Sequence, residues 1–126
     1  MKAAAKAYEL TFTERSNYLH VCIHAETIDR AMALDYFAEV ASKCADVRCK
    51  RMLLERDIPA MIPDEDLFTT MNDFIEMSIG IRVAFVNAHT PIDDALKHIV
   101  DFGIDRGADF QYFKTVDEAE RWLDEC

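Results

Sequence analysis

The chain has 126 residues, of which 51% are hydrophobic and only three each are Gly and Pro. This composition excludes a disordered tail or linker and predicts one folded domain over residues 1–126, with residues 1–6 disordered. Acidic residues outnumber basic residues by 24 to 14, which leaves a net charge of −10. Because such a surface repels polyanions, nucleic acid is not expected as a partner.

No apolar run reaches the roughly 18–20 residues that span a bilayer, and no apolar segment of signal-peptide length follows the N-terminal lysines. We therefore expect a cytoplasmic protein that does not span a membrane. The four cysteines, at positions 22, 44, 49 and 126, contain no CxxC pair. They are predicted to be reduced thiols, with Cys22 and Cys44 buried.

The first third of the chain predicts a hairpin followed by a helix. Apolar residues alternate in Tyr8–Phe12 and in Tyr18–Ile23, which is typical of two strands. Helical spacing then extends from Ile28 to Cys44, behind Thr27 as the predicted N-cap. The apolar run Met52–Leu54 predicts a short buried strand.

Two prolines make residues 57–63 a predicted loop, because proline fixes φ and removes a backbone donor. A second helix is predicted at 64–78 and a strand at 81–86. Thr90-Pro91 predicts the start of a third helix that ends near Gly107.

A strand at 110–113 and a final helix complete the predicted order ββαβαβαβα. Thr115 and Glu118 have the spacing of a capping box at the start of this helix. Alternating strands and helices call for parallel neighbours, so the predicted fold class is α/β. The first strand is expected to join the mostly parallel sheet antiparallel at one edge.

This order resembles the SpoIIAA-like proteins, which are relatives of the STAS domains of bacterial anti-sigma-factor antagonists. The resemblance is carried by Lys50–Glu55, by Gly80–Val86 and by the Trp-Leu ending of Phe113–Leu123. It implies a βα superhelix and a regulatory module that binds a protein partner.

In the best-known relatives, a kinase phosphorylates an Asp-Ser-Ser-Gly-type motif at the start of the second helix, and this breaks the partner complex. The same place here reads Pro63-Asp64-Glu65-Asp66 and contains no hydroxyl. Asp64 stands where the acceptor serine would stand. The resemblance therefore implies a switch that is either absent or fixed in a negatively charged state.

Ligands of open α/β sheets usually bind beyond the carboxyl ends of the strands. The loop at 58–64 and the start of the second helix lie there, and they suit a protein partner or a small amphipathic ligand. The candidate binding residues are Ile58, Met61, Ile62, Asp64, Phe68, Asn87 and His89. The structural alternative is that the apolar loop residues close the core as a lid, with Ile62 predicted to be core and Met61 surface.

Other clusters have structural interpretations. Asp64–Asp66 and Asp93-Asp94 fall in the first turns of predicted helices, where negative charge offsets the helix dipole. His20, Cys22 and His24 share one strand face, but further ligands for a zinc site are missing, so no metal is expected. No catalytic residue, nucleotide-binding glycine loop or other cofactor site is indicated.

The sequence thus favours a non-enzymatic binding or regulatory module. The alternative is a small enzyme with an acid–base site at the carboxyl ends of the strands, formed by Asp57, Asn87 and His89. A structural or self-association role, as a homo-oligomer, is the third alternative.

Overall fold

A computed structural model describes residues 8–125 of the chain. The predicted disorder of residues 1–6 lies outside this range. The elements follow the predicted order. The strands are β1 (Glu9–Glu14), β2 (Leu19–His24), β3 (Arg51–Asp57), β4 (Arg82–Asn87) and β5 (Phe110–Phe113). The helices are α1 (Arg30–Val47), α2 (Asp64–Met77), α3 (Asp93–Asp105) and α4 (Val116–Asp124).

The five strands form one mixed sheet in the order β1-β2-β3-β4-β5. β1 pairs antiparallel with β2 at one edge, and all other pairs are parallel. The predicted α/β class and the antiparallel edge strand are therefore confirmed. Helices α1, α2 and α3 pack on one face over the larger core, and α4 packs on the other face against β3, β4 and β5.

The two faces of β3 supply both cores, because side chains alternate along a strand. Met52 and Leu54 belong to the larger core, whereas Leu53 belongs to the smaller core under α4. Arg56 continues the alternation of Met52 and Leu54. The strand therefore directs the Arg56 guanidinium toward the larger core, at the carboxyl end of β3, where the 58–63 loop begins.

Two predicted helix starts are wrong. The N-cap of α1 is Asp29, not Thr27, and its carboxylate accepts a hydrogen bond of 2.8 Å from the backbone N–H of Met32. Thr90 does not cap α3, because residues 90–92 form a separate 3-10 turn before the helix begins at Asp93. At α4 the predicted cap is confirmed, since the Thr115 hydroxyl accepts from the backbone N–H of Glu118.

The prediction of reduced thiols is wrong for Cys44 and Cys49, which form a disulfide with their Cα atoms 5.1 Å apart. Arg48 adopts a left-handed conformation with φ of 56° at the end of α1 and turns the chain back. The backbone N–H of Cys49 then donates to the carbonyl of Cys44, which brings the two residues together. Cys22 is a half-buried free thiol, and Cys126 lies outside the described range.

No helix within residues 8–125 is both long enough and apolar enough to cross a bilayer.

Candidate functional site

The candidate residues of the 58–63 loop occupy two environments. Ile58 is 0% exposed and belongs to the core, so it is not available to a partner and leaves the predicted contact set. Met61 and Ile62 are both half-buried and pack against the core. The predicted contrast between a surface Met61 and a core Ile62 is therefore not found, because both side chains cover the same apolar space.

Phe68 lies one turn into α2 and is 42% exposed. Its ring packs edge-to-face with the Phe102 ring, with centroids 4.8 Å apart. Asp64 precedes it in the first turn of the same helix and is exposed, as is Glu65. The partly exposed Phe68 ring therefore lies next to the acidic first turn of α2.

Arg56 was missed by the sequence analysis, although it is 6% exposed and lies at the centre of this region. Its Nη1 donates to the carbonyl oxygen of Ile58 over 2.8 Å, and its Nη2 donates to that of Ala60. Burial lowers the pKa of this guanidinium. The sequence signal for its burial is its position two residues after Leu54, which places both residues on the same face of a strand. The strand predicted at Met52–Leu54 was too short to include Arg56.

A cavity of about 60 Å³ lies between the loop, α1 and α2. Its walls are apolar apart from Arg56, the Tyr36 hydroxyl and Thr70. Met61 and Ile62 close its loop side. The Thr70 hydroxyl donates to the carbonyl of Asp66 within its own helix.

A second polar cluster joins the carboxyl ends of β2, β3 and the segment after β4. Asp57 accepts from Nδ1 of His24 at 2.8 Å through one oxygen and contacts Nε2 of His89 at 2.6 Å through the other. Both hydrogen bonds lower the pKa of Asp57, and the bond with His24 has the larger effect. The bond to Asp57 raises the pKa of His24. The carboxylate is thus held ionised between two imidazoles, which is a poor arrangement for a general acid.

Asn87 is buried and supports the turn after β4. Its side-chain amide donates to the carbonyl of His89 at 2.7 Å and to Asp93 at 2.8 Å. Asp93 also accepts a hydrogen bond from the Tyr112 hydroxyl. The bonds from Tyr112 and Asn87 both lower the pKa of Asp93, and the bond from Tyr112 has the larger effect. Of the three residues of the predicted acid–base site, Asp57 contacts the His89 ring, whereas Asn87 bonds to the backbone of His89 and to Asp93. None of the three lines the cavity.

His20, Cys22 and His24 share one sheet face, as predicted, and this face is half-exposed. Each histidine contacts a carboxylate on the neighbouring strand. His20 lies 2.9 Å from Glu55, and His24 lies 2.8 Å from Asp57. Within residues 8–125, no three His, Cys, Asp or Glu side chains converge as a metal site would require.

The carboxylates at residues 64–66 and 93–94 lie in the first turns of α2 and α3, as the structural interpretation predicts. At these positions their negative charge offsets the partial positive charge of the helix N-terminus.

The sequence matches no family model and no curated protein. Solved structures do resemble it. An anti-sigma factor antagonist from Mycobacterium paratuberculosis is 14% identical, with a TM-score of 0.69 over 98% of this chain and 100% of that one. An uncharacterised protein with a SpoIIAA-like fold from Shewanella loihica is 10% identical, with a TM-score of 0.61 over 98% of each chain.

The chain has the SpoIIAA-like fold. Phosphorylated SpoIIAA of Bacillus supports the same assignment, at 9% identity and a TM-score of 0.55 over 93% of this chain and 99% of that one. These identities are low, so the likeness establishes the fold alone. In this SpoIIAA-like fold, α2 begins at Asp64 directly after the 58–63 loop, which is where the sequence placed the counterpart of the switch motif.

Proposed function

We propose that residues 1–126 form one non-enzymatic regulatory domain that binds a protein partner through the 58–63 loop and the start of α2. The contact surface consists of Met61, Ile62, Asp64 and Phe68, and His89 borders it from the neighbouring strand end. The observation that carries the proposal is the exposed ring of Phe68. Exposed aromatic side chains supply much of the binding energy at protein interfaces.

Charge defines the partner further. The first turn of α2 has three carboxylates in succession, at residues 64–66, and the whole chain has a net charge of −10. A partner with an apolar recess for Phe68 and with Lys or Arg at its rim would complement this surface. Such charge pairing mainly accelerates association and selects the partner, while the buried ring provides affinity.

The names of the structural neighbours support a partner that is a protein. Three of the matched structures are of anti-sigma factor antagonists or of the cell fate determinant SpoIIAA. Carried to this chain, they suggest a regulatory partner of the anti-sigma-factor class and a cytoplasmic location, which cell fractionation would test.

The proposal differs from a phosphorylation switch. Asp64 occupies the helix start with a carboxylate, and residues 63–66 offer no hydroxyl. Thr70 is buried, and its hydroxyl already donates to the Asp66 carbonyl. Regulation by phosphate at this place is therefore not part of the proposed function.

The test compares three immobilised proteins, which are the wild type, Phe68→Ser and Ile79→Ser, in extract of the source cells. Ile79 is a matched control because it is 77% exposed and precedes β4, at the amino end of that strand and away from the 58–63 loop. Retained proteins are quantified by mass spectrometry, and the candidate partner is then purified for calorimetry.

We expect a partner that the wild type and Ile79→Ser retain equally and that Phe68→Ser binds at least about 10-fold more weakly. The proposed surface would be rejected if no retained protein depended on Phe68. It would also be rejected if Ile79→Ser weakened the purified complex as much as Phe68→Ser.

A further inference from the structure

Arg56 is a buried cation without a counter-ion. It is 6% exposed, and no carboxylate among residues 8–125 forms an ion pair with it. Its hydrogen-bond acceptors are two neutral carbonyl oxygens, those of Ile58 and Ala60. Burying a charge is costly unless an opposite charge compensates it, so the position favours an anion.

Tyr36 provides a second polar group without a partner in the same place. It is 5% exposed and lines the cavity with Arg56, yet its hydroxyl makes no hydrogen bond to any other described residue. Burial raises the pKa of Tyr36 to about 12, so the hydroxyl keeps its proton and is able to donate it. Together with Arg56, this hydroxyl gives the otherwise apolar cavity a second hydrogen-bond donor.

The number of free donors fits a carboxylate. A guanidinium has five N–H groups, and two of those of Arg56 donate to the loop, which leaves three. We propose that the cavity binds a small organic monocarboxylate, with its head group accepting hydrogen bonds from Arg56 and Tyr36 and its apolar tail directed toward Met61 and Ile62. The site lies beneath the proposed contact surface and does not depend on a protein partner.

Charge and volume separate a carboxylate from a phosphate. Arg56 is the only cationic side chain among the residues that line the cavity, whereas a phosphate monoester carries up to two negative charges at neutral pH. The cavity of about 60 Å³ is small for an organic anion. The proposed carboxylate therefore places its head group at Arg56, and its tail displaces Met61 from the loop side of the cavity.

The apolar wall predicts how affinity changes with tail length. The remaining lining includes Leu54, Phe74 and Phe85, which would contact the tail. Each buried methylene tightens binding about four-fold, from about 0.8 kcal/mol. Butanoate, with two more methylenes than acetate, should therefore bind about 15-fold more tightly.

The test is a nitrogen–proton NMR titration of the whole chain with butanoate, acetate and butanamide at constant ionic strength. Butanamide is the matched neutral probe, because it keeps the shape and tail of butanoate and lacks the charge. We expect butanoate to shift the Nε–H signal of Arg56 and the backbone amides of residues 58–62. Butanamide should bind at least about 10-fold more weakly, since hydrogen bonds to charged groups are the stronger class.

Three variants complete the test. Arg56→Met should lose the preference for butanoate over butanamide, and Arg82→Met should retain it, because Arg82 stacks on Trp122 and lies outside the cavity lining. Arg56 also holds the loop carbonyls, so Arg56→Met is scored only if its NMR spectrum remains dispersed. Tyr36→Phe removes one hydroxyl and should weaken butanoate roughly 10- to 150-fold, the range of one hydrogen bond to a charged group.

Equal binding of butanoate and butanamide by the wild type would overturn the proposal, as would an absence of shifts up to the solubility of the probe. Equal affinities for acetate and butanoate would remove the apolar tail site. A Tyr36→Phe variant with wild-type affinity, or a folded Arg56→Met variant that kept the preference, would show that the anion does not bind in this cavity.

Discussion

The contrast between Ile58 and Phe68 gives the sharpest stability test of the proposed contact surface. Ile58 is 0% exposed, so Ile58→Ala deletes buried methyl groups and leaves a cavity, at a cost of about 2–5 kcal/mol. Phe68 is 42% exposed and loses chiefly its edge contact with Phe102. Aromatic pairs contribute about 0.5–1.5 kcal/mol, so Phe68→Ala should cost about 1 kcal/mol.

Both variants are measured by denaturant and by thermal unfolding. At about 4 °C per kcal/mol for a domain of this size, Ile58→Ala should lower Tm by roughly 8–20 °C and Phe68→Ala by about 4 °C. The denaturant slope should be the same in both variants, so that the change in midpoint reports stability alone. If Phe68→Ala were as destabilising as Ile58→Ala, Phe68 would be a core residue and the proposed surface would be lost.

Three further results are expected. The contact of protonated His24 with Asp57 stabilises the fold at low pH, and this contribution disappears as pH rises through the raised pKa of His24. Asp57→Asn should therefore lower the His24 pKa in an NMR titration. An unchanged pKa would contradict the contact. Gly103→Ala should destabilise the protein by about 1–2 kcal/mol in denaturant melts, because the added Cβ would lie 2.6 Å from the Phe110 ring. This clash should outweigh the better helix propensity of Ala. A stabilised variant would show that the Phe110 ring moves aside. Purified protein from the source cells should carry no phosphate in the first half of α2, and phosphate found by mass spectrometry on Thr69 or Thr70 would show that the switch was misplaced.

Local pattern was sufficient for most of the fold. The strand at 110–113 and the start of α2 at Asp64 were predicted at their observed positions, because their boundaries are set by short-range signals such as alternation and proline. The order of elements and the parallel sheet followed from the same periodicities. The start of α1 was predicted wrongly because Thr27 and Asp29 are both good caps, and the hydrogen bond from the backbone N–H of Met32 identifies Asp29 as the cap.

The disulfide shows where pattern fails. Cys44 and Cys49 are separated by five residues, and nothing in their spacing requires contact. The left-handed turn at Arg48 brings them together, and such a conformation at a residue other than glycine is not readable from composition.

The candidate site divides in the same way. The sequence by itself determined that apolar residues of the 58–63 loop and the start of the second helix lie at the carboxyl end of the sheet. It also determined that no hydroxyl stands at the position of the switch motif. Only the tertiary structure decided that Ile58 is core, that Met61 and Ile62 are both half-buried and that Phe68 remains exposed. The environment of Arg56 could be learned only from the tertiary structure. Whether a buried charge has a counter-ion depends on all the elements that pack around it, and the neighbouring residues in the sequence do not determine this.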